Sequence, residues 1–250
     1  MNGLKWNMCA LIMGLIFTFP TYSQIPKPIS VQLGGGVGYV LPGSDYGGTT
    51  MDFYSGTKYG LSSGLNIQGK ARFALIGVNL VGELNYSSLS NNGYSEPGQG
   101  NVELSQKILS LRVGPEFKLD LPALPFTPYV GANIALNRFS GDFTFQGVAR
   151  VSSADYSMQS ATRFGFGISG GALFKMSSFI LDIGIEYNLL NVFGKSWQDA
   201  NPTIDQRLDS YLSLNDDMDP AYSTGNNTHI VGSSRTINSF AITATAMFGL

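Results

Sequence analysis

Residues 106–138 read QKILSLRVGPEFKLDLPALPFTPYVGANIALNR. In the first part Leu109, Leu111, Val113, Phe117 and Leu119 share one parity, and Ser110, Arg112, Gly114, Glu116 and Lys118 share the other. In the second, Val130, Ala132, Ile134 and Leu136 alternate with Tyr129, Gly131, Asn133 and Asn137. Successive side chains of a strand point to opposite faces, so each segment has an apolar face and a face of charges, glycines and amides. The stretch predicts two long strands joined by a short Pro-rich turn.

The same alternation recurs at 31–41, 59–73, 77–89, 161–175, 179–190 and 235–250, giving eight strands in all. The connections between them run long, short, long, short, long, short, long. Soluble strands average about five or six residues, whereas a strand crossing a bilayer needs about 9–11. Strand length, an even count and alternating connection lengths predict an up-and-down antiparallel transmembrane β-barrel, with lipid outside and a polar lumen. Tyr59, Phe73, Tyr86, Phe117, Phe126, Phe139, Phe164, Phe174, Phe179 and Tyr187 fall near strand ends and are expected to form two interfacial girdles. Residues 139–160 alternate weakly. They extend neighbouring strands, form a loop, or hide an extra hairpin that would make ten strands. A soluble ligand barrel would turn its apolar face inward and leave a sparsely charged exterior, which these strands disfavour.

Composition agrees. Charged residues make up 13% of the chain, against about a quarter in ordinary soluble domains. Residues 1–23 read as a cleaved secretory signal: Lys5 is the basic region, 10–19 the apolar run, and Thr21-Tyr22-Ser23 the processing site. That run has about half of the roughly 20 residues a membrane helix needs. The mature barrel is then 24–250. Cys9 leaves with the signal, and Trp6-Asn7-Met8 before it is a poor lipoprotein context, so disulfides and thiolate metal sites are not expected. Loss of Lys5 takes the formal charge to about -3, too mild to point to nucleic acid.

The last strand, ending Ala-Ile-Thr-Ala-Thr-Ala-Met-Phe-Gly-Leu, resembles the C-terminal insertion signal of bacterial outer-membrane barrels. Ile242, Phe248 and Leu250 stand at its characteristic positions, with Leu250 replacing the commoner terminal aromatic. ILSLRVGPEFKL and PYVGANIALNRFSG resemble the outer-membrane beta-barrel domain of Bacteroidetes-type proteins. The resemblance covers essentially the whole mature chain. It implies residence in the outer membrane of a Gram-negative bacterium, outer-membrane lipids as surroundings and the barrel-assembly machinery as a partner in biogenesis. It assigns no catalytic residue.

Parity sends Glu83, Arg112, Glu116, Arg163, Asp182 and Glu186 into the lumen, with Lys70, Arg72, Lys118 and Lys175 toward the periplasmic ends. An eight-stranded barrel is just wide enough for side chains to fill it, and buried charges need partners. The primary expectation is a paired network that plugs the interior; a narrow pore built from the same residues is the alternative. In the long connection 191–234, His229 follows Asp216, Asp217 and Asp219 and precedes Ser233 and Ser234. That set has the residue types of a lipid-modifying enzyme, a third reading, without a nucleophile motif around it. Asn215, Asp217 and Asp219 have calcium-loop spacing, but Pro220 stands where the turn wants Gly and no Glu closes the loop. A weak calcium site is what remains of that idea. Gly165 to Gly170 spells a dinucleotide fingerprint inside a strand with no helix after it, a chance match. The sequence therefore predicts a non-enzymatic structural or surface-interaction barrel without cofactor or metal. The connection 191–234, with Trp197, Tyr211, Leu212, Leu214 and Tyr222, is expected to meet an extracellular ligand.

Overall fold

A computed structural model describes residues 30–75, 78–119, 121–200 and 206–249. The expected signal, the tail after it and Leu250 lie outside the described residues. Eight strands close into one barrel in chain order: β1 (Ser30–Gly43), β2 (Gly64–Ala74), β3 (Asn79–Glu96), β4 (Gln99–Lys118), β5 (Thr127–Gln146), β6 (Ala154–Lys175), β7 (Ile180–Phe193) and β8 (Asn238–Gly249). All neighbours are antiparallel, and β1 closes on β8 through pairs such as Leu33 with Phe248 and Tyr39 with Ile242. Closure leaves no unpaired edge. Two short helices lie in the connections, α1 (Thr50–Tyr54) and α2 (Gln206–Leu212).

Strands β3 to β6 run to 18, 20, 20 and 22 residues, about twice what a bilayer crossing requires. Residues 139–160 hold no extra hairpin; they continue β5 and β6, joined at 147–153. Likewise the polar segment 90–101 continues β3 into β4. Pro97 and Gly98, the latter at φ +70°, turn the chain there while Glu96 pairs with Gln99. Pro before a left-handed Gly is the residue order of a type II turn.

The outer face of these tall hairpins changes character part-way up. From Phe117 to Leu109 on β4, and from Val130 to Leu136 on β5, outward side chains are predominantly apolar. Above that level the outward residues are Lys107, Ser105 and Glu103 on β4, and Arg138, Ser140, Asp142 and Thr144 on β5. The inward residues invert in step: Ser110, Arg112 and Glu116 below give way to Ile108, Leu104 and Val102 above. On β4 and β5 strand parity is unbroken, so the inversion there marks the surface of the membrane; β6 carries a bulge at this level. Below it the wall is apolar toward lipid; above it the wall is apolar toward its own interior.

Two girdles bound the lipid-facing belt. Phe73, Phe117, Phe126, Phe174, Phe179 and Phe248 stand toward the short turns, and Tyr39, Tyr86, Phe164, Tyr187 and Phe240 toward the long connections. Phe139 and Tyr59, expected in the girdles, are both buried inside. β2 starts at Gly64, so Tyr59 and Leu61 belong to the first long connection and pack into the mouth of the barrel. Phe139 takes the inward parity one step above the inversion.

Candidate functional site: a filled lumen and its external cap

The inward face of the membrane-spanning half holds a single ionic cluster. Lys70 Nζ lies 3.2 Å from Glu83 Oε1 and 2.9 Å from Asp182 Oδ2. Arg72 Nη2 donates to Glu116 Oε2 at 2.8 Å and to Asp182 Oδ2 at 2.9 Å. Tyr129 donates its hydroxyl to the other Asp182 oxygen at 2.8 Å, and both cations sit over its ring at 5.4 and 5.9 Å. Arg112 Nη1 reaches across the lumen to Glu186 Oε2 at 2.5 Å. The strands dictate this meeting: Lys70 is directly opposite Glu83, which is opposite Arg112.

Five of the six residues expected in the lumenal network therefore meet there. Arg163 does not. It stands higher on β6, where Nε and Nη2 clamp Asp216 at 2.9 and 2.7 Å. Lys70 and Arg72, expected only toward the periplasmic ends, are central members, as is Tyr129. Parity alone carried the signal for the first two; nothing marked Tyr129. Above the ions, amides and hydroxyls interlock: Asn66 with Asn85, Gln68 with Thr245, and Ser110 with Asn137. Two gaps in this half, beside Arg112 and Glu186, are about 20 and 10 Å³, room for isolated waters.

Over this polar half lies an apolar core that the connections supply. α1 is set by a capping box: Thr49 Oγ1 accepts from the Asp52 backbone N–H while Asp52 accepts from Thr49 N–H. It turns Phe53 inward against Phe143 and Tyr211, with ring centroids 5.3 and 4.9 Å apart. α2 delivers Leu208 and Tyr211, and Leu214 follows, all buried. Tyr59 donates to the Leu214 carbonyl at 3.0 Å, and Tyr211 to the Tyr54 carbonyl at 2.6 Å. Burial pushes the phenols of Tyr46 and Tyr59 well above their ordinary range.

The last connection is fastened at Asp216, which is wholly buried. Beyond the Arg163 clamp it accepts from Asn191 Nδ2 at 2.9 Å and from the Ser196 N–H at 3.0 Å. Its carbonyl accepts from the Arg235 N–H at 2.9 Å. Arg235 stacks on Tyr59 at 4.2 Å, and Arg207 on Tyr54 at 4.1 Å. The segment expected to reach outward thus packs down into the barrel mouth, because its Tyr, Leu and Asp side chains find partners there.

His229 Nδ1 is 2.9 Å from Asp219 Oδ2. Ser234 donates instead to the Asp216 carbonyl at 3.2 Å, so His229, an acid and Ser234 do not form a relay. Asn215, Asp217 and Asp219 do not converge either. Asn215 serves Gln198 and Asp209, Asp217 caps Met218, and Asp219 holds His229 and Ala221. Among the described residues no group of three His, Cys, Asp or Glu is placed to hold a metal. Gly165 and Gly167 are inward positions of β6, crowded by Asn137 and by Asn188 and Asn133, whereas Gly170 faces outward. Ile242 and Phe248 of the final strand face outward into the lipid belt.

On the outer side of the cap the long connections enclose an open cleft of about 570 Å³. Met51, Asp52, Glu96, Arg150, Tyr222 and Asn227 line it. Arg150 is held at φ +59°, a left-handed backbone that L residues rarely adopt.

The profile of the outer membrane protein beta-barrel domain matches residues 9–214. The chain belongs to that family. Its place is the outer membrane, among outer-membrane lipids. No curated protein sequence matches the chain. Among solved structures it is similar to Neisserial surface protein A, with 15% identity, 90% of this chain and 99% of that one covered, and a TM-score of 0.46. A major outer membrane protein from Thermus thermophilus shares 16% identity over 87% of this chain and 99% of that one, with a TM-score of 0.45. Ail of Yersinia pestis, solved with the heparin analogue sucrose octasulfate, shares 13% identity over 88% and 97%, with a TM-score of 0.36.

Proposed function

We propose that this family member is a non-catalytic, non-conducting surface barrel that presents an ordered external cap to a ligand outside the cell. The observation that carries the reading is the double filling of the barrel. An ionic cluster closes the membrane half, and a packed aromatic core closes the outer half. A pore would need a continuous path through both. The cap cleft is the recognition surface: Arg150 and Tyr222 offer charge and an exposed ring beside Met51, on a rigid base. The cleft keeps the connection 191–234 as a ligand-meeting segment, through Tyr222 and Asn227, and adds to it Met51, Glu96 and Arg150 from outside that connection.

The same proposal includes export by a cleaved signal at 1–23 and insertion through the barrel-assembly machinery reading Ile242, Phe248 and Leu250. The Bacteroidetes-type affiliation rests on the resemblance of ILSLRVGPEFKL and PYVGANIALNRFSG. Lipid chemistry by His229 lacks a nucleophile: Asp219 holds its Nδ1 as an acid would in a relay, but Ser234 donates to the Asp216 carbonyl.

Planar-bilayer recording of the refolded mature protein, with heat-modifiable gel migration as the folding control, tests the first half. Silence is expected, and discrete current steps would overturn it. Peptide and glycan arrays probed with wild type and an Arg150→Ala/Tyr222→Ala variant test the second. Signals that persist unchanged in the variant would move recognition away from the cleft.

A further inference from the structure

The inversion level on the outer wall carries a small cationic patch. Register places Leu109 opposite Arg138 and Lys107 opposite Ser140. Lys107 and Arg138 are therefore diagonal neighbours on one face, within about 7–8 Å. Thr162 of β6 pairs with Arg138 from the other side, so two hydroxyl-bearing residues, Ser140 and Thr162, are neighbours of Arg138 on that face. Directly below stand Leu109, Leu111, Ile134 and Leu136, exposed to lipid.

The local charge is positive. Lys107 pairs with Asp142 at 3.2 Å, yet its side chain stays 42% exposed, and an ammonium carries donors beyond the one this pair uses. Among the described residues Arg138 has neither an ion pair nor a side-chain hydrogen bond. Glu103 and Asp155 lie farther up, level with Thr144. At the corresponding upper rim the other strands carry Tyr39, Tyr86, Phe164, Tyr187 and Phe240, all uncharged. One guanidinium and one ammonium are thus concentrated on β4 and β5 at the depth where acyl chains end and headgroups begin. Guanidinium forks match phosphate oxygens two at a time, and flanking hydroxyls supply further donors.

We propose that Arg138 and Lys107 form a lipid-phosphate site. It takes a phosphate on the sugar headgroup of an outer-leaflet glycolipid of the lipid A class, whose acyl chains lie over Leu109 and Leu136. The site acts on the barrel wall and is independent of whatever the cap binds. The phosphate neutralises the patch, and the hydroxyls of Ser140 and Thr162 orient it.

The test is competition in detergent micelles between bisphosphorylated and phosphate-free lipid A, read by native mass spectrometry of the refolded protein. Wild type is expected to retain the phosphorylated form about tenfold over the other. An Arg138→Gln/Lys107→Gln variant is expected to lose that preference, and Arg138→Lys to keep part of it, with heat-modifiable migration unchanged in each. Equal retention of the two lipids by wild type, or an undiminished preference in the double variant, overturns the site. Displacement of the lipid by excess inorganic phosphate would overturn the glycolipid as its occupant.

Discussion

Asp216 has no exposed surface, and Arg163 Nη2 approaches it to 2.7 Å. Removing one partner of a buried ion pair costs about 3–5 kcal/mol, because the other charge is left unpaired in a poor solvent. Arg163→Ala is therefore expected to release the last connection while leaving the barrel closed. Limited proteolysis would then cut within 194–237 in protein that still shows heat-modifiable migration. Asp52 gives a pH handle on the opposite side of the cap. The Thr49 N–H, at 2.8 Å, holds its carboxyl below the ordinary range. A lowered carboxylate stabilises the folded form above its unfolded value of about 4 and loses that contribution as pH falls through the lowered one. Amide NMR signals of 50–54 are expected to drift toward coil positions on acidification, and Asp52→Asn to abolish that titration. Neither residue was distinguishable in the sequence. Asp216 sits in the run Asn-Asp-Asp-Met-Asp, where three acids look alike and no periodicity says which one faces inward. The lumenal acids were legible because strand parity sorts them; a connection has no parity to read.

At the scale of the strand, one uninterrupted alternation serves two solvents. Residues 139–145 look irregular only when read in the phase of 130–136. Shifted by one residue, Phe139, Phe143 and Phe145 alternate with Ser140, Asp142 and Thr144 as regularly as the segment before them. Hydropathy alone reports a weak strand there, since the apolar parity switches sides at the membrane surface. Two substitutions separate the regimes. Val113→Arg, facing lipid, is expected to destabilise by about 2–4 kcal/mol. Ser105→Arg, on the same face above the inversion, is expected to change stability by less than about 0.5 kcal/mol. Chemical denaturation of the protein in lipid vesicles measures both. Phe143→Ala, in a segment with the hydropathy of an external loop, should cost about 3–5 kcal/mol. Its ring is 5% exposed and packs on Phe53.

In the whole molecule, fold and filling had different legibility. Eight strands followed from lengths and alternation, which are local. The cap did not, since it depends on side chains far apart in the chain finding one another inside the barrel mouth. The same arrangement makes conduction resistant to single changes. Arg112→Ala removes the cation facing Glu186 but leaves the aromatic core above intact, so current is expected to stay absent in planar bilayers. Steps appearing in that variant alone would show that the lower half is the only barrier.

The distances spanned by the cap also set an order of events. An up-and-down barrel forms most of its ladder between segments adjacent in sequence. Here Tyr59 bonds to Leu214, Gly56 to Arg235 and Asp45 to Thr236, across separations of 155, 179 and 191 residues. Bringing such distant segments together carries a loop-closure cost that neighbouring hairpins avoid. The cap therefore cannot consolidate before the segment leading into β8 has arrived, the same segment that brings the seam between first and last strands together. Closure of the wall and consolidation of its contents become a single late step, the protein's point of commitment on its way into the membrane.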